Sequence, residues 1–411
     1  MTSRVLPIRR LFKIVNGGTP TPDAENWGGS IPWATPADFG ETFSSIGTTR
    51  RTLTQRGVDT GSTVAPKGAI LLSTRAPIGY VAINETAMAF NQGCRALVPR
   101  DDADSRFFGY QLESIREILQ AQGLGTTFLE LSSDALAQVS VLAPSPEEQH
   151  RIADFLDREV ARIDRLLTLK YSVQTHLAER VRSVRDSLVN QLASSQESAP
   201  LRRFITRIEQ GASPQCEAGP REGEKERAVL KLSAVKNGKF HPGENKRLPE
   251  DSRPSSLREV HAGDFLVTRA NTPSLVGDVA VVGDNPPPRL LLPDLIYRVG
   301  LTSEIKAEYV MQIALSGRIR SLIESTARGT SQSMVKLRGE DIKGWPIPII
   351  TRSQQTEITK EITAAAEKAA SLQDLTEQQV KLLAERRQAL ITAAVTGQID
   401  VSTASGRGIE E

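Results

Sequence analysis

The sequence predicts an α+β chain of two pseudo-repeated mixed α/β units, each followed by one long helix. Three observations carry this. Landmarks of the first half recur in the second in the same order. Two segments of matched length lack proline and glycine and carry apolar residues at helical spacing. The remaining sequence holds short apolar runs bounded by glycine and proline, the pattern of strands.

The repeat is the first element to justify. Arg9-Arg10-Leu11-Phe12 leads to Gly17-Gly18-Thr19-Pro20, and Arg202-Arg203-Phe204 leads to Gly211-Ala212-Ser213-Pro214. Thr19 and Ser213 are 194 positions apart, and so are Arg75 and Arg269, each in a Thr-Arg-Ala triplet after an apolar run. Gly125-Thr126-Thr127 answers Gly329-Thr330-Ser331 at 204. Gln149 and Gln355, and Leu177-Ala178-Glu179-Arg180 and Leu383-Ala384-Glu385-Arg386, share an offset of 206. The offset changes only inside the globular parts, so the two long segments match in length.

The first long segment, residues 147–191, places apolar residues at Ile152, Leu156, Ile163, Leu166, Val173, Leu177, Val181, Val184 and Leu188. This reads as a coiled-coil seam with a slip near Leu177. Glu147 and Glu148 suit the positive end of the helix dipole. Residues 353–395 behave likewise through Ile358, Ile362, Leu372, Leu375, Leu383 and Leu390, with Gly397 as a stop. An amphipathic helix this long cannot bury its stripe alone, whereas two of equal length can bury each other. In the globular parts, Ala69–Leu72, Tyr80–Ile83, Phe265–Val267 and Val279–Val282 are expected strands, and Phe107–Leu119 and Glu308–Ile323 expected helices. The organisation expected is a first unit over 1–145, a long helix within 146–197, a second unit over 198–348, a second long helix within 349–398 and a flexible tail over 399–411.

Composition narrows the class. The 411 residues carry 51 basic and 49 acidic side chains, and the excess of basic ones sits in residues 198–348, with 23 Lys and Arg against 18 Asp and Glu. That uneven distribution is compatible with a nucleic-acid partner without demanding one. No apolar run reaches eighteen residues, so no membrane span is expected, and the N-terminus lacks a signal-peptide pattern. Two distant cysteines, Cys94 and Cys216, give no disulfide framework, and the expected location is cytoplasmic.

Catalytic patterns are weak. Asn285-Pro286-Pro287-Pro288 has proline where an amino-methyltransferase motif needs an aromatic, and no glycine-rich cofactor turn precedes it. Asp294, Glu304 and Lys306 imitate a metal-nuclease triad, but the first repeat has no acid at the place matching Asp294. His150, His176, His241 and His261 lack ligand spacing, so no metal site is expected. No phosphate-binding loop and no nucleophile elbow is present.

With these landmarks in place, the chain resembles the specificity subunit of type I restriction–modification systems. The resemblance rests on Gly17-Gly18-Thr19-Pro20, Ile31-Pro32-Trp33, the run Gly68 to Arg75, Asn91-Gln92-Gly93-Cys94, Gly125-Thr126-Thr127, Pro144 to Gln149, and the ending Leu390 to Ile399. Ile349-Ile350-Thr351-Arg352 departs from the expected proline-led start of the second helix. The resemblance implies two target-recognition domains, each reading half of a split, asymmetric site in double-stranded DNA. It implies that the long helices form an antiparallel coiled coil that spaces them. It implies a non-catalytic chain that scaffolds DNA adenine methyltransferase subunits and, in a restricting complex, motor–nuclease subunits. S-adenosylmethionine, ATP and Mg²⁺ are expected in those partners, and no cofactor in this chain.

Features identical in both repeats cannot distinguish two half-sites. Arg75, Arg269, Thr126, Thr127, Thr330 and Ser331 are therefore expected to hold phosphate or the fold. Lys67, Lys231, Lys236, Lys239 and Lys336 complete the candidate DNA contacts. Base reading is expected in the divergent stretches 33–56 and 215–247. Two alternatives stand beside this reading: a stand-alone metal-dependent nuclease using Asp294, Glu304 and Lys306, and a coiled-coil scaffold with degenerate DNA domains.

Overall fold

The computed structural model describes residues 4–100, 102–123, 129–252, 258–331 and 334–401. They fall into two compact units, Met1–Tyr171 with Gln378–Glu411, and Ser172–Glu377. Each unit takes opposite ends of the two long helices, Pro146–Ser195 and Arg352–Val395.

In the first unit the main sheet has the order Phe12–Asn16, Cys94–Pro99, Ile70–Ser73, Val81–Asn84, Ser44–Ile46. Its neighbours are antiparallel except the last pair. A second sheet has the order Arg51–Leu53, Trp27–Ala34, Met88–Phe90, Thr63–Ala65, with the middle pair parallel. Arg4–Pro7 pairs with Ser140–Ala143 at the foot of the unit.

The second unit repeats these pairings. Its main sheet runs Ile205–Gln210, Ile296–Leu301, Phe265–Thr268, Val279–Val281. Asn245–Arg247, Ala228–Leu230 and Leu290–Leu291 form the counterpart of the second sheet, again with one parallel pair. Ser198–Pro200 pairs with Pro346–Pro348 at the foot, as Arg4–Pro7 does with Ser140–Ala143 in the first unit. The four expected strands form within a residue of their predicted bounds. Ile70–Ser73 and Phe265–Thr268 are buried throughout, which is why they read as continuous apolar runs rather than alternating ones.

Each expected globular helix is instead two. Ser105–Ser114 is followed by Arg116–Ala121, and Ala307–Ala314 by Gly317–Thr326. The second break lies at Ser316, whose backbone is extended and whose hydroxyl donates to the Ile313 carbonyl at 2.6 Å. Such local bonding competes with the helix ladder.

The long helices match expectation in extent, but their seam differs. Ile163, Leu167, Lys170, Gln174, Leu177, Val181, Val184 and Leu188 are buried or half-buried, while Leu166 and Val173 are exposed. The spacing alternates four and three without a slip, a regular heptad seam. Apolar pattern alone could not choose Leu167 over its neighbour Leu166, nor assign Lys170 and Gln174 to the seam. In the second helix Ile362, Ala366, Ala369, Thr376, Val380 and Leu383 occupy the covered stripe, and Leu372 and Leu375 are exposed. Within the first unit the helix ends run antiparallel. Arg387 meets Asp164, and Ile391, Ala394 and Val395 join Ile152, Leu156 and Val160 in the main core. Gly397, at φ +73°, ends the second helix, with the Gln398 amide donating back to the Ala393 carbonyl at 2.8 Å.

Candidate nucleic-acid interface

The shared frame comes first, because it decides which side chains are left to face a ligand. At the start of each long helix one glutamine ties three segments together. Gln149 Oε1 accepts the Asp104 amide at 2.9 Å, and its Nε2 donates to the Pro144 carbonyl at 2.9 Å. Gln355 Oε1 accepts the Lys306 amide at 2.9 Å, and its Nε2 donates to the Ile350 and Glu304 carbonyls. Both glutamines are 3% exposed, so losing these bonds would strand polar atoms in the interior. Ile349 to Arg352 departs from the proline-led pattern, yet the helix starts at Arg352, with the Thr351 hydroxyl accepting the Gln354 amide.

The glycines of the opening motif serve close backbone approach. A Cβ on Gly17 would lie 2.2 Å from the Asn91 carbonyl oxygen, and one on Gly211 would lie 1.6 Å from that of Leu292. The adjacent hydroxyls also correspond. Thr19 Oγ1 donates to Gln92 Oε1, and Ser213 Oγ donates to Asp294 Oδ1. Asp294 is thus a partner of the opening loop. Glu304 lies beyond the other end of the Ile296–Leu301 strand, whose six residues span roughly 20 Å. Among the described residues no three His, Cys, Asp or Glu gather to hold a metal ion. Asn285 to Pro288 form a turn between strands.

The matched arginines are engaged inside their own units. Arg75 Nε lies 3.1 Å from Glu130 Oε2, and Glu130 also holds Arg95. Arg269 donates to the Asp294 carbonyl at 3.3 Å and sits 5.9 Å from the centre of the Tyr297 ring. Lys231 faces Glu244 at 3.8 Å. Lys67, Lys236, Lys239 and Lys336 are exposed and form no ion pair among the described residues. Thr126 and Thr127 lie outside the described residues, and Thr330 and Ser331 lie in the strand Arg328–Ser331.

Lys236 and Lys239 stand opposite each other across a two-residue turn. Asn237 and Gly238 have φ of 49° and 78°, as a tight hairpin of Asn-Gly type requires. Asp278, 5% exposed, fixes the turn by accepting the Asn237 amide at 2.9 Å. Burial raises the Asp278 pKa against these amide bonds and the charges of Arg320 and Lys236. Arg247, a further basic residue of this stretch, is paired with Glu217 and Glu226.

Three groupings carried too little sequence pattern to be found in advance. Trp27, Trp33 and Arg51 form a cluster on the second sheet of the first unit. The rings meet edge to face at 5.0 Å, and the Arg51 guanidinium carbon lies 3.5 Å from the Trp27 ring centre. Glu209 binds Arg298 at 2.9 Å, with Arg207 and Arg258 nearby. Desolvation raises the Glu209 pKa, but the three arginines outweigh it and hold the carboxyl below its usual range. Arg387, 4% exposed, binds Glu113 at 2.8 Å and Asp164 at 3.0 Å from within a charged helical run.

Residues 3–170 match the family described as Type I restriction modification DNA specificity domain. The specificity subunit of the MjaIX type I restriction enzyme of Methanocaldococcus jannaschii is 40% identical over 157 residues, 37% of this chain and 36% of that protein. The EcoEI specificity subunit of Escherichia coli is 31% identical over 160 residues, 39% of this chain and 27% of that protein. The chain therefore spans about a third of the length of the curated relatives it matches. The fold extends the likeness. A chain from a study of complex assembly and conformational transition of the type I R-M system covers 97% of this chain and 98% of its own length. Its TM-score is 0.68 at 14% identity. The HsdS subunit of Thermoanaerobacter tengcongensis gives 0.50 at 13%, covering 97% of each chain. The likeness in fold thus extends past the matched domain into the second unit, whose sheet order repeats that of the first.

Proposed function

We propose that this chain reads DNA sequence for a type I restriction–modification complex and catalyses no step itself. Each unit would read one half of a split, asymmetric site, and the chain would scaffold DNA adenine methyltransferase subunits and, where present, motor–nuclease subunits. The observation that carries this reading is the match of residues 3–170 with the DNA specificity domain, joined to a second unit of the same strand pairing. S-adenosylmethionine, ATP and Mg²⁺ are assigned to the partners.

In this reading the exposed lysines Lys67, Lys236, Lys239 and Lys336 neutralise phosphates, which makes binding salt-dependent. Arg75 and Arg269, already engaged within their units, set the shape of the surface and meet phosphate only at its rim. Thr126, Thr127, Thr330 and Ser331 are assigned to backbone positioning. The separated nuclease residues give the nuclease alternative no support. The test is a map of methylated adenines in genomic DNA with and without this chain, its methyltransferase partners present in both. The expected result is one split asymmetric motif that appears only with the chain. Methylation that shows no motif attributable to the chain overturns the reading.

A further inference from the structure

Within the divergent stretch of the first unit, three arginines lie close in sequence and meet different surroundings. Arg50 turns to Asp38, at 3.9 Å. Arg56 pairs with Asp23, at 3.5 Å, and with Glu25. Arg51 has neither a carboxylate nor a hydrogen-bond partner for its guanidinium among the described residues, and it is exposed. It is nevertheless held in place. Its guanidinium carbon is 3.5 Å from the Trp27 ring centre and 5.4 Å from that of Trp33. A carbon that near a ring centre leaves room only for face-to-face stacking, so the guanidinium face is covered while its in-plane N–H donors stay open.

The platform beneath it is rigid. Trp33 is 4% exposed, and its indole N–H donates to the Gly18 carbonyl at 3.1 Å. The Trp27 indole N–H donates to the Thr21 carbonyl at 3.1 Å. The Arg51 backbone is fixed opposite Trp33 in the sheet, and the Thr49 hydroxyl donates to its carbonyl at 2.7 Å. Such a site offers a planar fork of donors, one positive charge and little conformational entropy left to lose. Its complement is a pair of adjacent acceptors in one plane. In the major groove of DNA only guanine presents two acceptors side by side on one base, N7 and O6.

We propose that Arg51, stacked on Trp27, reads a guanine edge in the half-site of the first unit. The inference rests on the proposed function and names the chemistry of one contact within it. The second unit shows no stacked counterpart in its divergent stretch among the described residues: within 215–247 Arg247 lies between two glutamates, Arg221 donates to the Glu226 and Pro288 carbonyls, and Arg227 is exposed with no ring against it. A contact confined to one unit is what two different half-sites require.

The experiment uses the full chain assembled with its methyltransferase partners on duplexes with randomised half-sites, scored by sequencing methylated products at several salt concentrations. The wild-type complex is expected to prefer guanine at one position of one half-site. Arg51→Ala should lower that preference by about tenfold to hundredfold, with every other position unchanged. Trp27→Leu, which removes only the platform, should give a smaller loss at the same position. Melting of each variant chain checks that the fold survives. Weakening that is uniform across sequences, with a shallower salt dependence, would make Arg51 a phosphate contact and overturn the inference. An unchanged profile also overturns it. A wild-type complex with no preference at any position would overturn the proposed function itself, which separates the two failures.

Discussion

Where the first unit receives its long helix, Gln149 bonds the amide of Asp104 and the carbonyl of Pro144. Where the second receives its own, Gln355 bonds the amide of Lys306 and the carbonyls of Ile350 and Glu304. Along the helix flanks the units part company. The first grips the second long helix through the buried pair of Arg387 and Glu113, with the half-exposed Asp164 also accepting from Arg387. The second grips the first long helix through Arg185, which donates to the neutral Gln312 at 3.0 Å, and through Asp186, which accepts the Gly317 amide at 2.7 Å. The glutamine contacts to the main chain have stayed alike through the duplication, because almost any sequence supplies a carbonyl or an amide. Contacts that need two particular side chains have diverged.

The largest expected effect probes the flanks. Arg387→Ala would leave Glu113, 4% exposed, as a buried charge without its partner. A loss of about 3–5 kcal/mol is expected by urea denaturation. Glu113→Leu combined with Arg387→Met should recover most of it, since Glu113 Oε2 and Arg387 Nη2 have no hydrogen-bond partner among the described residues even in the native pair. Arg185→Ala, which leaves only a neutral amide unsatisfied, should cost less. Equal losses would erase the distinction between the units.

A smaller effect tests the likeness. Gln149→Ala and Gln355→Ala should each cost roughly 1–3 kcal/mol, and by similar amounts, since each strands buried main-chain groups. Unequal denaturation midpoints would mean that the two joints are similar in geometry but not in energy.

The smallest effect belongs to the second unit. Because the folded Glu209 pKa is depressed, its contribution is complete above the ordinary value of 4.5 and is lost as pH falls through the lower folded value. Melting temperature measured downward from pH 5 should therefore fall less steeply in Glu209→Gln than in wild type. Parallel curves would remove Glu209 from the acid response.

Much of the architecture was legible in the sequence. The Thr-Arg-Ala triplets, the shared offset of Gln149 and Gln355 and the segments free of proline and glycine report backbone demands, and backbone demands leave local marks. The seam was read one residue off at Leu166 and Val173, because adjacent leucines give hydrophobicity no preference and the covered Lys170 and Gln174 are polar. Arg51 lies inside the stretch 33–56 expected to read bases but nothing in the sequence singles it out, and Glu209 and Arg387 carry no mark at all. Their roles depend on Trp27, Arg298 and Glu113, which lie 24, 89 and 274 positions away, and no periodicity links such pairs. Arg75 and Arg269 stand at matched places in the sequence, but nothing in it shows that Glu130 and the Asp294 carbonyl engage them.

The opening glycines bear on ancestry. A strand may exchange valine for isoleucine many times, and each exchange erases a little of the record of a common origin. At Gly17 and Gly211 a carbonyl oxygen already occupies the space where any side chain would begin. No exchange is open there, so those two positions keep time more slowly than the sheets around them. Part of the kinship of the two halves can still be read by eye because, at those two glycines, there is no room for a change to be written.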